Sequence, residues 1–435
     1  MNYCFDVVMI PFQLMIIFFT VYYFFISWFG LFGKKKEVKI YDESKTFALM
    51  VCAHNEAAVI APLVENLRKL NYNDKLYDIF VIADNCTDNT AAVARQAGAV
   101  VMERFHETKK GKGYAMDWFF ERLFKMERQY DAVCVFDADN LVHPNFLREM
   151  NSRLCHGERL IQGYLDAKNP TDTWVSGVFS ISFWIVNHVW HLAKYNMGLC
   201  CCLGGTGMCI ETGLLKRYGW GATCLTEDME FTMKAIMEGI PTTWAHDAII
   251  YDEKPLTFKA AWNQRLRWAQ GHFDVANRYL LPMLKKAVKE RDIVLLDCSV
   301  NLIQPYFLMI STFFVLCNWI YEYIPFYHNI LYSLLPMQVW TVIGIGQYIF
   351  PVAVLWKIRA SFKSWLYLLL YPIFIYSWVP ITAIGWFRRH EHEWNHTIHT
   401  RSIEFGDIVV PEDQVHDGPR QVDFKRRIAK QDRKV

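Results

Sequence analysis

Apolar residues along this chain are concentrated in four long runs, one near the start and three near the end. The runs cover residues 7–32, about 293–321, 325–356 and 365–387. Each is long enough to cross a membrane, which requires about 20 apolar residues. The region between the first and second runs, about residues 34–281, carries most of the charge. The pattern predicts a polar domain attached to a membrane at both of its ends.

Shorter apolar runs divide the polar region, and several of them end at polar or acidic residues. The runs at residues 46–53, 78–83, 99–103 and 132–136 have the length and composition of strands. Helical patterns follow the first two. Repetition of strand, acidic turn and helix predicts an α/β fold with a mostly parallel, doubly wound sheet. In such a sheet the polar residues at the strand ends line one edge.

Two carboxylates, Asp137 and Asp139, follow the strand predicted at residues 132–136. Ligands bind at the carboxyl ends of strands in open α/β sheets. Carboxylates are hard oxygen ligands, and Mg²⁺ or Mn²⁺ typically joins one or two of them to the phosphates of a nucleotide. Asp137 and Asp139 therefore predict a metal and diphosphate site. The alternative is that these acids only cap the loop or helix that follows.

Two glycine-containing runs are candidates for close backbone approach to a ligand. Lys112 lies in the Lys-Gly run at residues 109–113, where glycine admits a ligand and lysine supplies charge for phosphate. Gly205 and Thr206 lie in a Gly-Gly-Thr-Gly run. Each run is equally compatible with an ordinary solvated or flexible turn.

A pair of acids, Glu227 and Asp228, follows Thr226 at the start of a predicted helix. They are candidate catalytic groups, but Thr is also a common N-cap, and acids in a first turn complement the helix dipole.

Gln264, Arg267 and Trp268 are spaced i, i+3 and i+4 in a helical pattern, so they share one face. An aromatic ring beside a guanidinium group is a platform for a sugar ring and a phosphate. The alternative is an amphipathic helix packed on the core.

Charge and cysteine usage narrow the class of protein. The net charge of +2 gives no indication of nucleic-acid binding. The 12 cysteines show no secretory framework and no pair of Cys-x-x-Cys motifs, which favours a reducing compartment and no zinc cluster. Three lysines at residues 34–36 follow the first apolar run, and no basic residue precedes it. The positive-inside rule then places the polar domain in the cytoplasm.

These motifs, in this order, resemble the family 2 glycosyltransferases. The resemblance covers about residues 46–281 and is closest to the membrane-embedded processive branch, which includes cellulose, chitin, hyaluronan and poly-N-acetylglucosamine synthases. It rests on six motifs: Asn55-Glu56, Asp84, Asp137-Ala138-Asp139, Gly205-Thr206-Gly207, Thr226-Glu227-Asp228 and Gln264 to Trp268. The resemblance implies a GT-A fold. It divides the chain into an N-terminal transmembrane anchor, a cytoplasmic GT-A domain, a C-terminal transmembrane region, and a charged interfacial segment with a tail, at residues 1–36, 37–290, 291–388 and 389–435.

The resemblance also implies a role for each candidate residue. Glu56, Asp84 and Lys112 resemble the residues that hold the uridine and its neighbouring phosphate. Asp137 and Asp139 resemble the nucleotide and metal carboxylates, with Asp139 as the better metal ligand. In the catalytic motif Asp228 matches the base, beside Glu227. The remaining substrate-binding matches are Gly205, Thr206, Gln264, Arg267 and Trp268.

The implied activity is transfer of a sugar from a UDP-sugar, UDP-N-acetylglucosamine or UDP-glucose, with Mg²⁺ or Mn²⁺. A single displacement would invert the anomeric carbon and extend a β-linked polysaccharide, which the enzyme would secrete across the cell membrane. Two other functions stay open. One is a non-processive transferase that glycosylates a membrane lipid. The other is a transporter or nucleotide-binding module without catalysis, against which the intact acids argue. The sequence does not predict an oligomeric state.

The last apolar run poses a problem of topology. If it spans the membrane, the ten Lys and Arg of residues 388–435 lie outside, which the positive-inside rule disfavours. Pro372 and Pro380 favour a run that re-enters instead, so we predict a cytoplasmic tail. Trp394 to Arg401 is similar to the C-terminal gating segment of hyaluronan synthases, which implies that Arg401 contacts the nucleotide. A purely structural interfacial helix is the alternative.

Overall fold

The computed structural model of this chain describes residues 3–33, 35–222, 224–321, 323–324, 329–346, 348–391, 403 and 405–407. Eight strands form one sheet. In chain order they are β1 (Phe47–Ala53), β2 (Tyr77–Asp84), β3 (Val100–Arg104), β4 (Ala132–Asp137), β5 (Leu141–Val142), β6 (Leu160–Ala167), β7 (Met208–Glu211) and β8 (Thr243–Asp252).

The strand order in the sheet is β3-β2-β1-β4-β7-β6-β8-β5. Strands β3, β2, β1 and β4 are mutually parallel. Strand β7 runs antiparallel to both β4 and β6, while β6 and β8 are parallel and β5 closes the far edge antiparallel to β8. The sheet is therefore mixed, with a parallel half built from the runs that the sequence indicates. The predicted α/β fold is confirmed.

Among the residues that the structure describes there are seventeen α-helices; the first precedes the strands, and the others lie between or after them. They are α1 (Tyr3–Phe32), α2 (Ile60–Leu67), α3 (Thr90–Gln96), α4 (Lys112–Leu123), α5 (Phe146–Cys155), α6 (Trp174–Ile185), α7 (Leu192–Met197), α8 (Thr212–Tyr218), α9 (Glu227–Met237), α10 (Phe258–Glu290), α11 (Ile293–Tyr321), α12 (Ile330–Leu334), α13 (Met337–Gly346), α14 (Ile349–Lys357), α15 (Phe362–Leu368), α16 (Tyr371–Tyr376) and α17 (Trp378–Phe387). A π-helical segment, Val186–His191, joins α6 to α7.

The core of the α/β region lies on both faces of the sheet. On one face Leu49, Val51 and Phe136 of the central strands pack against α2 and α5, and on the other Met50 and Val135 pack against α4 and α8. Alternate residues of one strand thus reach opposite layers, as the period of two requires. The strands are buried on both faces, which is why they read as nearly continuous apolar runs.

Two helices in the described part of the chain are long and apolar enough to cross a membrane alone. They lie within the first and second apolar runs, at Phe5–Phe32 and Ile293–Tyr321. The last run forms α15 and, after a break, the continuous stretch Tyr371–Phe387 that contains α16 and α17. The two parts are bent by 53° relative to each other, so this run is a third candidate only if both parts form one span. The run at 325–356 differs from expectation, because its described residues form three short helices separated near Pro336 and Gly346.

The bent C-terminal helices pack on the α/β region. Tyr367 of α15 lies against Gly177 of α6, where an added β carbon would stand 2.1 Å from its ring. Gly385 of α17 lies against Ala269 of α10, where an added β carbon would stand 2.8 Å from the Ala269 Cβ. Small residues thus let these helices approach α6 and α10 closely.

Candidate active site

A cavity of about 1250 Å³ opens at the carboxyl ends of β1, β2 and β4. Chain connections run from β1 outward to β2 and β3, and then return to the other side of β1 at β4. The crevice between β1 and β4 is therefore the topological switch point, where open α/β sheets bind their ligands.

The cavity collects the predicted site residues from seven separate segments of the chain. Those that line it are Glu56, Asp84, Lys112, Asp137, Asp139, Gly205, Thr206, Glu227, Asp228, Gln264, Arg267 and Trp268. Arg401, with the segment from Trp394, lies outside the described residues. Every described member of the predicted site is thus at one place.

Asp84 ends β2 and is buried at one end of the cavity. The Arg104 guanidinium pairs with its carboxylate, and Asn85 Nδ2 donates to the same oxygen at 3.1 Å. Arg104 Nη2 also donates to the carbonyl oxygen of Lys109 at 2.6 Å. One buried arginine therefore connects the Asp84 carboxylate to the Lys-Gly loop.

Two asparagines turn the chain sharply after β1 and β2. Asn55 has φ of 56° and Asn85 has φ of 51°, in the left-handed region that only Gly, Asn and Asp adopt readily. The Asn55 side-chain oxygen accepts a hydrogen bond from Thr87 N at 2.8 Å, and that of Asn85 accepts one from His106 N at 2.9 Å. These turns hold Glu56 and Asp84 at the cavity wall, where strained backbone is characteristic of functional sites.

Lys112 begins α4 and reaches across the mouth of the switch point. Its ammonium group pairs with Asp137 and donates to the carbonyl oxygen of Gly205 at 2.7 Å. Burial alone would lower the pKa of Lys112, but the carboxylates of Asp137 and Glu227 outweigh burial and raise the pKa above its usual value. Lys112 is therefore a permanent positive charge among the acids.

The turn from Asp137 to Asn140 presents the two carboxylates of the Asp-x-Asp motif. Asn140 and Thr206 accept hydrogen bonds from Asp137 N at 3.0 and 3.1 Å. Asp139 is buried, and its carboxylate accepts from Glu253 N at 2.9 Å and from Asn140 Nδ2 at 3.3 Å. Thr206, in the glycine-rich run, is thus part of what shapes this turn.

The described residues contain no group of three or more His, Cys, Asp or Glu side chains set to hold a metal ion unaided. That finding fits Mg²⁺ or Mn²⁺, which usually bind through one or two carboxylates completed by waters and substrate phosphates. Asp139 and Asp137 supply hard oxygen donors at the cavity wall. These two carboxylates could hold a divalent cation whose other ligands are waters or phosphates.

Glu227 and Asp228 form the first turn of α9, deep in the cavity. Burial, and then the neighbouring Asp228 carboxylate, raise the pKa of Glu227 to about 7. Burial also raises the pKa of Asp228, while a hydrogen bond of 2.7 Å from Met229 N to its carboxylate opposes the rise. Two buried carboxyls with raised pKa values, that of Glu227 being about 7, are suited to proton transfer.

Helix α10 forms the wall opposite the sheet. Gln264 Oε1 is buried and accepts no hydrogen bond within the described chain, and Arg267 makes no hydrogen bond or ion pair there. The Trp268 ring meets Phe179 edge-on at 5.8 Å between centroids, with Phe183 at 6.3 Å. The helix face thus offers an acceptor, a free guanidinium group and an aromatic wall to whatever occupies the cavity.

Contacts behind α10 fix its position. Arg265, fully buried, donates from Nη1 to the Phe374 carbonyl oxygen at 3.0 Å and to Ser377 Oγ at 2.8 Å. Gln270 Nε2 donates to the Arg388 carbonyl oxygen at 2.9 Å. Polar side chains on the rear of the helix are therefore bonded to the C-terminal apolar helices.

Sequence reasoning missed Asp252 and Lys254, which also line the cavity. Burial raises the pKa of Asp252 to about 6, and the ion pair with Lys254, at 2.7 Å, opposes the rise. Lys254 also lies 3.2 Å above the Phe183 ring centroid. The signal was available, since Asp252 ends an apolar run just as Asp84 and Asp137 do.

The sheet is mixed, and acids from separate segments gather at its switch point. The family described as "Glycosyltransferase like family 2" matches residues 44–271, more than half of the chain. The protein belongs to this family and is a glycosyltransferase, so the reading as a transporter or non-catalytic module is set aside.

Curated relatives share the catalytic region. The probable glycosyltransferase YdaM of Bacillus subtilis is 24% identical over 247 residues, which cover 55% of this chain and 58% of that protein. A beta-monoglucosyldiacylglycerol synthase of Nostoc is 28% identical over 254 residues, 54% of this chain and 49% of that one. A poly-beta-1,6-N-acetyl-D-glucosamine synthase of Staphylococcus aureus is 22% identical over 259 residues, which cover 58% of this chain and 60% of that protein. The match spans about half to three fifths of these relatives.

Among solved structures, a mannosyltransferase of Pyrobaculum calidifontis in complex with GDP-Man and Mn²⁺ aligns with a TM-score of 0.48. The alignment has 16% identity and covers 80% of this chain and 98% of that one.

Proposed function

We propose that this protein transfers a sugar from a UDP-sugar to an acceptor at the cytoplasmic face of a membrane, with inversion at the anomeric carbon. One observation carries the proposal: candidate residues from seven segments, predicted from their chemistry and from the family resemblance, line a single cavity at the switch point of the sheet.

Donor binding divides between the two ends of the cavity. Glu56 and Asp84, held by the turns at Asn55 and Asn85, would contact the uridine. Lys112 and Arg267 would contact the diphosphate, whose negative charge both groups complement. Gly205, with φ of 79°, leaves room for the donor to pass close to the backbone.

The divalent cation would be held by Asp139, with Asp137 beside it. When bound, it would neutralise the negative charge that grows on the leaving diphosphate. Arg267, which has no partner in the described chain, would supply positive charge to the same oxygens from the α10 side.

Asp228 would accept the proton of the attacking hydroxyl as general base. The Asp228 carboxylate lies beside the glycine-rich run, because a β carbon at Gly205 would be 3.3 Å from Asp228 Oδ2. Glu227, with a pKa of about 7, would tune the charge on Asp228. One displacement inverts the anomeric centre, so an α-linked donor would give a β-linked product.

The leading acceptor is a growing β-linked polysaccharide, with UDP-N-acetylglucosamine or UDP-glucose as the donor. Support comes from the Gln264, Arg267 and Trp268 face and from the aromatic wall of Phe179 and Phe183, on which sugar rings stack well. The relative named as a poly-beta-1,6-N-acetyl-D-glucosamine synthase is in keeping with this acceptor.

A second acceptor is a membrane lipid. The relative named as a beta-monoglucosyldiacylglycerol synthase has the higher identity of the two, at 28%, and favours a single transfer to a lipid. The same acids and the same α10 face would serve both reactions.

We place the enzyme in the cell membrane as a multi-pass protein with a cytoplasmic catalytic domain. The two long apolar helices, the basic residues Lys35 and Lys36 after α1, and the bent C-terminal pair support this placement.

The test is product analysis of the detergent-purified protein. Labelled UDP-sugars are supplied one at a time with Mn²⁺ or Mg²⁺, with and without added lipid acceptors, and the products are sized. High-mass polymer supports the first acceptor, and a single sugar on lipid supports the second. Absence of transfer from every UDP-sugar would contradict the proposed donor class.

A further inference from the structure

A buried ion pair lies directly beneath the Asp-x-Asp turn. The side chains of Lys168 and Glu253 are 3% and 6% exposed, and Lys168 Nζ is 3.4 Å from Glu253 Oε2. Lys168 Nζ donates to the carbonyl oxygen of Asp139 at 2.8 Å, and Glu253 N donates to the Asp139 carboxylate at 2.9 Å. Both members of the pair therefore touch the same residue.

The sheet explains why these two residues meet. Strands β6 and β8 are parallel, and Ala167 opposite Asp252 is their last registered pair. Lys168 and Glu253 follow at once, and Lys168 N donates to the Asp252 carbonyl oxygen at 2.9 Å. The pairing of the two strand ends therefore brings an ammonium group and a carboxylate together beside the acid turn.

Asn169 locks this arrangement one residue further on. Its Nδ2 donates to the Lys254 carbonyl oxygen, and its Oδ1 accepts from Lys254 N, both at 2.8 Å. The Asn169 side-chain amide thus makes the two hydrogen bonds that a further backbone pair between β6 and β8 would make. Pro170 and Pro255 follow and cannot donate to a further step. We refer to residues 168–170 and 253–255 together as the strand-end clamp.

We propose that Lys168 and Glu253 are positioning residues that orient Asp139 toward the divalent cation of the transfer reaction. The proposal rests on the proposed function. Lys168 Nζ bonds the backbone carbonyl of Asp139 and Glu253 N bonds its carboxylate, so together they set the direction of the residue. Loss of such outer partners of a metal ligand typically weakens metal binding or activity by about 10–100-fold.

The contacts of the pair support this role. The Lys168 ammonium lies against the Glu253 carboxylate and the carbonyl of Asp139. Glu253 N and Asn140 Nδ2 donate to the Asp139 carboxylate. The clamp therefore contacts both the backbone carbonyl and the carboxylate of Asp139 and holds the residue in one orientation, as a cation ligand requires.

The test compares two buried ion pairs of similar exposure. Lys168→Met removes the clamp's ammonium group, and Lys168→Arg keeps a cation there. Lys194→Met is the matched control, because Lys194 pairs with Asp297 at 2.8 Å, with side chains 2% and 4% exposed, outside the cavity. Mn²⁺ affinity is measured by electron paramagnetic resonance on the full chain in detergent with UDP present, and thermal stability is measured in parallel.

We expect Lys168→Met to weaken Mn²⁺ binding by about 10–100-fold, with recovery of most of the loss in Lys168→Arg. Lys194→Met should lower thermal stability and leave Mn²⁺ affinity unchanged. Equal losses of stability in the two Met variants, with unchanged Mn²⁺ affinity in both, would overturn the proposal.

If Lys168→Met does not fold, Glu253→Gln carries the test, because it preserves size and the Glu253 backbone donor. Weaker Mn²⁺ binding in that variant supports the clamp, and wild-type affinity overturns it. Wild-type protein that binds neither UDP nor Mn²⁺ would contradict the proposed function itself, and this proposal with it.

Discussion

Gly271 of α10 lies directly against Thr226, the residue before the two catalytic-motif acids. A β carbon at Gly271 would stand 2.5 Å from Thr226 Oγ1 and 2.6 Å from its Cγ2. On another side of the same helix, Gly385 meets Ala269 just as closely. Helix α10 is therefore packed between the start of α9 and α17 with no spare room, and this packing sets the distance from Trp268 to Asp228.

We expect Gly271→Ala to displace Thr226 and, with it, Asp228. Overpacking of this kind costs about 1–3 kcal/mol of stability, and a misplacement of about 1 Å can cost on the order of 100-fold in rate. The measurement is kcat for sugar transfer, alongside UDP affinity, which should change little. Gly213→Ala in α8 is the matched control, because its nearest neighbour lies at an ordinary 3.6 Å. Wild-type kcat in Gly271→Ala would contradict the coupling.

Asp228→Asn should abolish transfer while UDP still binds. The amide keeps the shape of the carboxylate but cannot accept the acceptor's proton, and general-base catalysis is worth about 10²–10⁴-fold. Sugar transfer is measured through the UDP that it releases, and UDP binding is measured by calorimetry. Glu238→Gln, an exposed carboxylate at the end of the same helix, should leave both unchanged. Turnover near that of the wild type would remove Asp228 as the base.

The pH dependence of kcat/KM should show an acid limb with a midpoint near 7. Burial, and then the Asp228 carboxylate, raise the pKa of Glu227 to about 7, and burial raises the pKa of Asp228. A base must be unprotonated, so activity falls as pH decreases through this range. The two groups titrate as a pair, so the midpoint belongs to both.

Glu227→Gln is the diagnostic variant for that pair. It removes the neighbouring carboxyl whose pKa is about 7, so the acid limb should move to lower pH. Because a buried carboxyl with a raised pKa binds its proton more tightly when folded, the wild-type pair also contributes less to stability as pH rises toward 7 and beyond. An acid limb at the same pH in both proteins would show that Glu227 does not govern the titration.

The last apolar helices should begin and end on one side of the membrane. Phe374, Ser377 and Arg388 bond to side chains of α10, which carries part of the proposed site. We expect Lys363→Cys and Glu391→Cys to react with an impermeant thiol reagent from the same side of sealed vesicles. Glu290→Cys, at the end of α10, marks the cytoplasmic side. If Glu391→Cys reacts only from the side opposite to Lys363→Cys, the last apolar run crosses the membrane.

The parallel half of the sheet was predictable because its strands are buried on both faces. Such strands read as unbroken apolar runs, and the acids Asp84 and Asp137 mark their ends within a residue. The convergence of the acids follows from the topology of a doubly wound sheet, so most of the candidate site could be placed before any contact was known.

The other half of the sheet could not be predicted in the same way. The polar residues Gln162 and Asp166 interrupt the apolar pattern of strand β6. They are buried nonetheless, because their side chains hydrogen-bond to neighbouring segments. Its partners β7 and β8 are distant in sequence, so no local pattern reports the pairing. Arg104 was not predicted because its partner Asp84 lies on the adjacent strand. Asp252 could have been predicted, because it ends an apolar run.

The bonds from Arg265 to the Phe374 carbonyl and the Ser377 hydroxyl bear on how the enzyme can be handled. A water-soluble fragment that stops after Glu290 would keep every acid of the cavity, yet it would strip the backing from α10 and leave a bare guanidinium group where two acceptors had been. The cavity and the last apolar helices are thus joined through α10. Under the membrane placement proposed above, a detergent or lipid that displaces those helices would shift α10 and change turnover.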